Sequence, residues 1–300
     1  MKTETRPWFK TALKLRGSVI PTIAPRVLLC GGFGLFISLL DFLNLPVSLP
    51  ILSSIVPSIV LGLLLVFRTN TAYERYWEGR KLWGSLVNTV RNLARQIWVS
   101  VDEEEPQDFI DKKSVLRLLP AFAVATKLHL RMEYVNAELE HLMSQSQYQK
   151  LKSMNNPPLE IAFWIADYLH KQSNQNCLNV YQLTALQKLV DNLVDTLGGC
   201  ERILKTPIPL AYAIHLKQLL LLYCLSLPFQ LVDNLSWGTG LVVALVSFTL
   251  FGIEEIGIEI ENPFGHDAND LPLDAICATM QRNIDDLISL SPSVRDRIAD

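Results

Sequence analysis

Three aliphatic residues, Ile55, Ile59 and Leu63, recur at i, i+4 and i+8. On an α-helix that spacing sets them in one shallowly spiralling row. The row has no polar side chain, and Ser58 and Gly62 lie close beside it. Facing a pore in a symmetric ring, such residues would stack into hydrophobic constrictions that gate by dewetting. The plainer use is a helix face packed on lipid or on another helix, and periodicity alone favours that use.

Directly after this row comes FRTNTAYERYWEGRKLWG, Phe67 to Gly84. Tyr73, Tyr76, Trp77 and Trp83 fit an aromatic belt at the headgroup level. Glu74, Arg75, Glu78, Arg80 and Lys81 are too many charges for a belt alone and suit ion pairs between helices. A second dense stretch, EEIGIEIENPFGHDANDLPLD, offers Asn262, Asp267, Asn269 and Asp270 as oxygen ligands for a hard cation. Their spacing does not match an EF-hand loop. It fits better a helix cap at Asp270, with a helix beginning at Leu271 and Pro272 in its first turn. No nucleophile–base set, P-loop, GxSxG, HExxH or paired zinc ligands occur, and the five histidines are scattered. An enzyme is therefore not expected.

The elements that must position these residues follow from charge segregation in the 300-residue chain, which is 49% hydrophobic. Between Val27 and Phe67 the only charged residue is Asp41; between Pro207 and Ile253 only Lys217 and Asp233 are charged. Each block is about twice the roughly 20 residues needed to cross a bilayer. Each reads as a helical hairpin, with breaks near Asp41 to Pro50 and near Pro228 to Trp237. The divisions are a cytosolic arm (1–26), hairpin one (27–67), a cytosolic helical region (68–206), hairpin two (207–253) and a cytosolic C-terminal segment (254–300). Basic residues gather in the arm, after the second span and before the third, while the hairpin loops lack Lys and Arg. Both termini thus face the cytosol. A bacterial cytoplasmic membrane is expected; an internal photosynthetic membrane also fits.

Gly31, Gly32 and Gly34 sit inside an apolar span and read as points of close helix approach. The five cysteines form no CxxC pair, so neither a disulfide framework nor a zinc site is expected. A net charge of −3 without a basic stripe gives no support to a nucleic-acid partner. In the cytosolic region one helix is expected from Arg68 to Val101, then one or two over Phe109 to Gln149 interrupted near Pro120. Asn155 to Pro158 reads as a loop. Apolar positions from Val180 to Leu197 follow the spacing of an amphipathic helix, with Gly198 and Gly199 as its end or a kink. Nothing alternates like a strand, and the class is all-α.

Taken together, SIVLG followed by FRTNTAYERYWEGRKLWG, Ile208-Pro209, and IENPFG with DLPLD resemble the bacterial branch of the bestrophin family. The resemblance implies a four-span helical homopentamer around an axial pore. It implies a pore neck of three apolar side chains, falling here on Ile55, Ile59 and Leu63, and so makes the pore reading the favoured one for that row. Animal members often carry aromatic residues at parts of the neck; here all three are aliphatic. A lower constriction on the helix before the third span falls on Tyr181. Family members activated by Ca²⁺ have an acidic clasp after NPFG; here Asp267 and Asp270 keep matching positions while His266, Ala268 and Asn269 replace others. Fewer charges weaken Ca²⁺ binding, so no cofactor and no Ca²⁺ gating are expected. The implied function is passive conduction of chloride and other small anions, with small inorganic ions and the bilayer as partners. A monovalent cation (sodium) channel of the same plan and a non-conducting membrane scaffold are the alternatives.

Overall fold

The computed structural model describes residues 8–49 and 56–290. These are helical throughout, with no strand among them. The helices are α1 (Trp8–Ala12), α2 (Ile20–Phe42), α3 (Val56–Ser100), α4 (Pro106–Leu130), α5 (Ala137–Glu140), α6 (Gln145–Leu151), α7 (Pro157–Asn174), α8 (Val180–Lys205), α9 (Leu210–Leu235), α10 (Thr239–Glu261) and α11 (Leu273–Ser289). The chain forms two compact units. One holds the described residues up to Tyr76 with Pro207–Asp270; the other holds Trp77–Thr206 with the described residues from Leu271 onward. The 45-residue α3 contributes to both without a break.

The first unit contains the apolar stretches long enough to cross a bilayer: α2, the start of α3, and α9 with α10. Aliphatic helices gain little from burying one another when lipid is equally apolar, so close backbone approach must supply the contact. Gly31 and Gly34 do this on α2. A Cβ added at Gly34 would lie 2.9 Å from the Cα of Gly240, and one at Gly31 would lie 3.0 Å from the Cβ of Ala244. Gly32 meets nothing within 4 Å, so the expected close approach holds for two of the three glycines. The second hairpin breaks at the far end of the expected Pro228 to Trp237 stretch, with Pro228 itself inside α9. It turns at Ser236, whose φ of 45° starts the 3₁₀ turn Ser236–Gly238. The Ser236 carbonyl accepts a 2.9 Å hydrogen bond from the Ser38 hydroxyl of α2, which fixes the turn.

In the second unit α4 is the central helix, packed by α7, α8 and α11. Pro120 does not interrupt it. An interior proline costs roughly 3 kcal/mol, but this helix is buried almost all round from Val115 to Leu130, and packing overrides propensity. Gly198 and Gly199 likewise lie inside α8 rather than ending it. A Cβ at Gly199 would come within 2.9 Å of a terminal methyl of Leu82, so this glycine leaves room for that side chain. Pro157 and Pro158 take the first two positions of α7, where a missing N–H costs nothing. All five cysteines are free and buried.

The helix after IENPFG starts at Leu273, with Pro272 before it, and Asp270 does not cap it. The carboxylate that matters for α11 is Asp274, the last residue of DLPLD, in its first turn. It meets Lys127 Nζ at 2.7 Å and Arg131 Nη2 at 3.1 Å. Lys127, only 1% exposed, is also held by Glu138 at 2.6 Å. Burial pushes the Lys127 pKa down, but its hydrogen bonds to Asp274 and Glu138 outweigh burial and raise it.

Hydrogen bonds from Arg131 first, then Lys127, hold Asp274 at about 2, below its ordinary value of 3.8. A carboxylate depressed in the folded state adds stability that is present above its unfolded pKa and lost as pH falls through its folded one. Asp274→Asn is therefore expected to lower the unfolding temperature at neutral pH, with the gap to the unsubstituted protein closing between pH 4 and 2. Thermal unfolding in detergent across that range checks this, and a gap independent of pH would contradict it.

Candidate functional site

The first turns of α3 carry two opposed faces. Leu61, Leu65, Arg68 and Ala72, at i, i+4, i+7 and i+11, are buried. On the opposite side Ile59 and Leu63 are each 54% exposed, and Val66 is 55% exposed. Ile59 and Leu63 thus share one helix face that the chain itself leaves uncovered. Ile55 lies outside the described residues. A contiguous exposed aliphatic row is a surface that lipid, another subunit or a pore must complete.

The rotation of α3 is set by polar contacts on its buried side. Arg68 follows directly on the apolar run and is 4% exposed. Its Nη2 donates to Glu261 Oε2 at 2.6 Å. The other Glu261 oxygen accepts from the backbone N–H of Ile208 at 2.8 Å, and the Glu261 carbonyl accepts from Arg75 Nε at 3.2 Å. One carboxylate thereby joins α3, the segment leading into α9 and the last residue of α10. A Cβ at Gly257 of α10 would make an ordinary van der Waals contact with Arg68 Cγ at 3.5 Å, so the two helices pack closely here. Higher on the same helix, the Tyr212 hydroxyl of α9 donates to the Leu64 carbonyl at 2.8 Å. It anchors the backbone beside Leu63.

Arg68, Arg75 and Glu261 sit within the stretches that sequence reading singled out, yet that reading gave them no partner. The signal was available: an arginine closing an apolar run, and a glutamate closing another, each require a counter-charge if buried. Among the charges expected to pair, Glu78 does so with Arg202 of α8.

Tyr181 is the second residue of α8, behind an Asn179 cap whose side chain accepts from the Gln182 N–H at 2.9 Å. Its ring is 88% exposed. Asp267 and Asp270 fall together in the turn between α10 and α11. Asp270 Oδ2 accepts from the Asp267 backbone N–H at 2.7 Å, a turn-closing bond rather than two carboxylates aimed at one centre. Asn269 Nδ2 donates to the Gly17 carbonyl at 3.4 Å and also to the Glu259 carboxylate. The Asn269 amide thus bridges the Gly17 carbonyl and the Glu259 carboxylate. Among the described residues no three of His, Cys, Asp or Glu are grouped as a metal site. Two carboxylates with an amide between them are a weak side-chain donor set for a hard cation such as Ca²⁺, which takes six to eight oxygens.

The buried pair yields a double-mutant test. Glu261→Gln keeps an oxygen for the Ile208 N–H but leaves Arg68 buried without a counter-charge, with an expected loss of roughly 3–5 kcal/mol. Adding Arg68→Met should recover part of that loss. Denaturant unfolding of the four proteins measures the coupling, and strictly additive effects would show that the two residues do not act as a pair.

Comparisons with known proteins agree with this architecture. A family model described as Bacterial/Fungal Bestrophin protein matches residues 1–286. A voltage-dependent anion channel-forming protein of Nostoc sp. is 69% identical over 295 residues, covering 98% of this chain and 96% of that protein. One of the same description from Synechocystis sp. is 64% identical over 287 residues, covering 96% and 94%. The crystal structure of a bacterial bestrophin homolog from Klebsiella pneumoniae superposes with a TM-score of 0.81 at 28% identity, covering 90% of this chain and 100% of that one.

Proposed function

The chain belongs to the bacterial and fungal bestrophin family, and on that footing we propose that it is a passive channel for chloride and similar small anions. The observation that carries the reading is the uncovered aliphatic row on α3, lying opposite a face locked by the Arg68–Glu261 pair. A helix held in fixed rotation with inert side chains on its free face is what a dewetting constriction requires. In this reading five copies surround one axis, and Ile55, Ile59 and Leu63 form the neck. Tyr181, exposed at the start of α8, supplies the lower constriction. In this reading the protein lies in the bacterial cytoplasmic membrane, and the placement of its basic residues supports an orientation with both termini in the cytosol. The relatives named as anion channel-forming proteins favour anions over sodium and a conducting protein over a scaffold. The reading is of a channel and not of an enzyme.

Purified protein in planar bilayers under opposed chloride and sodium gradients gives the test. The reversal potential is expected to follow chloride; one following sodium would replace the anion reading by a cation one. Ile59→Ala widens and softens the neck and should change ion flux in liposomes by on the order of twofold or more. Flux at background in both proteins would favour the scaffold instead.

Asp267 and Asp270 keep clasp positions, but His266, Ala268 and Asn269 stand where other members carry further acidic residues, and fewer charges weaken Ca²⁺ binding. Current is therefore expected to be the same in EGTA and in millimolar Ca²⁺. A reduction on chelation would restore a Ca²⁺-dependent mechanism.

A further inference from the structure

The N-terminal arm carries a cluster that neither the neck nor the Arg68–Glu261 pair uses. Trp8, Phe9, Leu13 and Leu15 are 74%, 75%, 81% and 62% exposed, and Lys10, Lys14 and Arg16 alternate with them. Among the described residues none of these three cations is in a salt bridge or hydrogen bond. Exposed aromatic and aliphatic groups mixed with unpaired cations, just before the first span at Ile20, are the composition of a segment lying at a membrane surface.

The arm also builds one wall of a cavity. Gly17, with φ of 75°, reverses the chain, and its carbonyl is tied by Asn269 to the turn after α10. That reversal lays Lys14 and Arg16 along a cavity of about 690 Å³, walled elsewhere by Tyr73 and Tyr76 of α3 and by Ile256 and Ile260 of α10. The hydroxyls of Tyr73 and Tyr76 make no hydrogen bond among the described residues. Glu259 also lines the cavity, but its carboxylate is engaged by the Asn269 amide, and the two cations outnumber it. The chamber is thus lined by two cations and two tyrosines together with the aliphatic side chains of Val19, Ile256 and Ile260.

We propose that this cavity binds the phosphate headgroup of an anionic phospholipid. Lys14 and Arg16 pair with the phosphate, the tyrosine hydroxyls donate to it, and the acyl chains run along Ile256, Ile260 and the apolar side of the arm. Guanidinium and ammonium groups suit phosphate as fork and point charge, and each basic residue near an anionic lipid surface strengthens its hold. The recognised chemistry is a phosphate anion, which could come from a lipid or from free phosphate.

The full-length protein in neutral detergent tests this with three probes: phosphatidylglycerol, phosphatidylcholine and inorganic phosphate. Phosphatidylglycerol is expected to raise the unfolding temperature above that in phosphatidylcholine and to stay bound in native mass spectrometry. Lys14→Gln with Arg16→Gln should weaken that retention roughly tenfold or more. Lys10→Gln, outside the cavity, should leave it unchanged. The charge-preserving exchange of Lys14→Arg with Arg16→Lys should retain binding, and Tyr73→Phe with Tyr76→Phe should weaken it, so a poorly folded Gln variant leaves the idea testable. If inorganic phosphate reproduces and competes away the lipid effect, the site serves free phosphate; if it does neither while the lipid binds, the source is the membrane. Equal behaviour in phosphatidylglycerol and phosphatidylcholine with no phosphate effect, or full binding by the double Gln variant, would overturn the proposal.

Discussion

The Arg68–Glu261 ion pair is the constraint on which the membrane-crossing unit turns. A guanidinium at the end of an apolar run cannot be left unpaired away from water without a penalty of several kcal/mol. The Glu261 carboxylate answers it at 2.6 Å and spends its second oxygen on the Ile208 N–H. The latter is the last backbone donor before Pro209, just where α9 is about to begin. Three segments far apart in sequence are thereby fixed to one point. Because Arg68 shares a helix face with Leu61 and Leu65, both buried, pinning it also pins the rotation of α3. Ile59 and Leu63 are turned outward as a direct consequence.

Elsewhere in the unit, packing is achieved by removing atoms. Gly34 and Gly31 of α2 let α10 come to backbone contact at Gly240, and Ser38 secures the turn between α9 and α10 through the Ser236 carbonyl. The aliphatic core of Ile23, Leu61, Leu65, Leu220 and Val243 then fills the remaining space. The second unit solves the same problem differently. It buries α4 almost all round from Val115 to Leu130 and places its cations, Lys112 and Lys127, against Glu103, Glu138 and Asp274.

Most of this plan was legible in the chain. Two apolar blocks with few charges give four spans because desolvating a charge in lipid is so costly, and the unbroken run through Phe67 gives the continuous α3. What misled were residues judged by local preference. Pro120 sits inside one helix and Gly198 and Gly199 inside another, because the packing of each whole helix outweighs local propensities of about 1–3 kcal/mol. Asp270 has the composition of a cap but closes its own turn, while Asp274, four residues on, takes up the buried cations. Spacing within a segment cannot disclose such a choice, since it depends on where Lys127 and Arg131 lie in the fold. The pairing of Arg68 with Glu261 was hidden for the same reason: 193 residues separate them.

This division of labour bears on why the chemically rich motifs are not themselves the conducting surface. The proposed neck consists of methyl and methylene groups, which form no directional bonds and so cannot fix their own positions. A dewetting constriction is sensitive to radius, and its radius follows from where the helix backbone stands and which face it presents. An aliphatic neck therefore needs its precision supplied from behind. Tyr212 on the Leu64 carbonyl, Arg68 on Glu261, and Arg75 on the Glu261 carbonyl supply it along the turns that follow Leu63. On this argument the charged and aromatic residues after the apolar run act on ions indirectly, as positioning residues whose loss would loosen the neck without touching its lining.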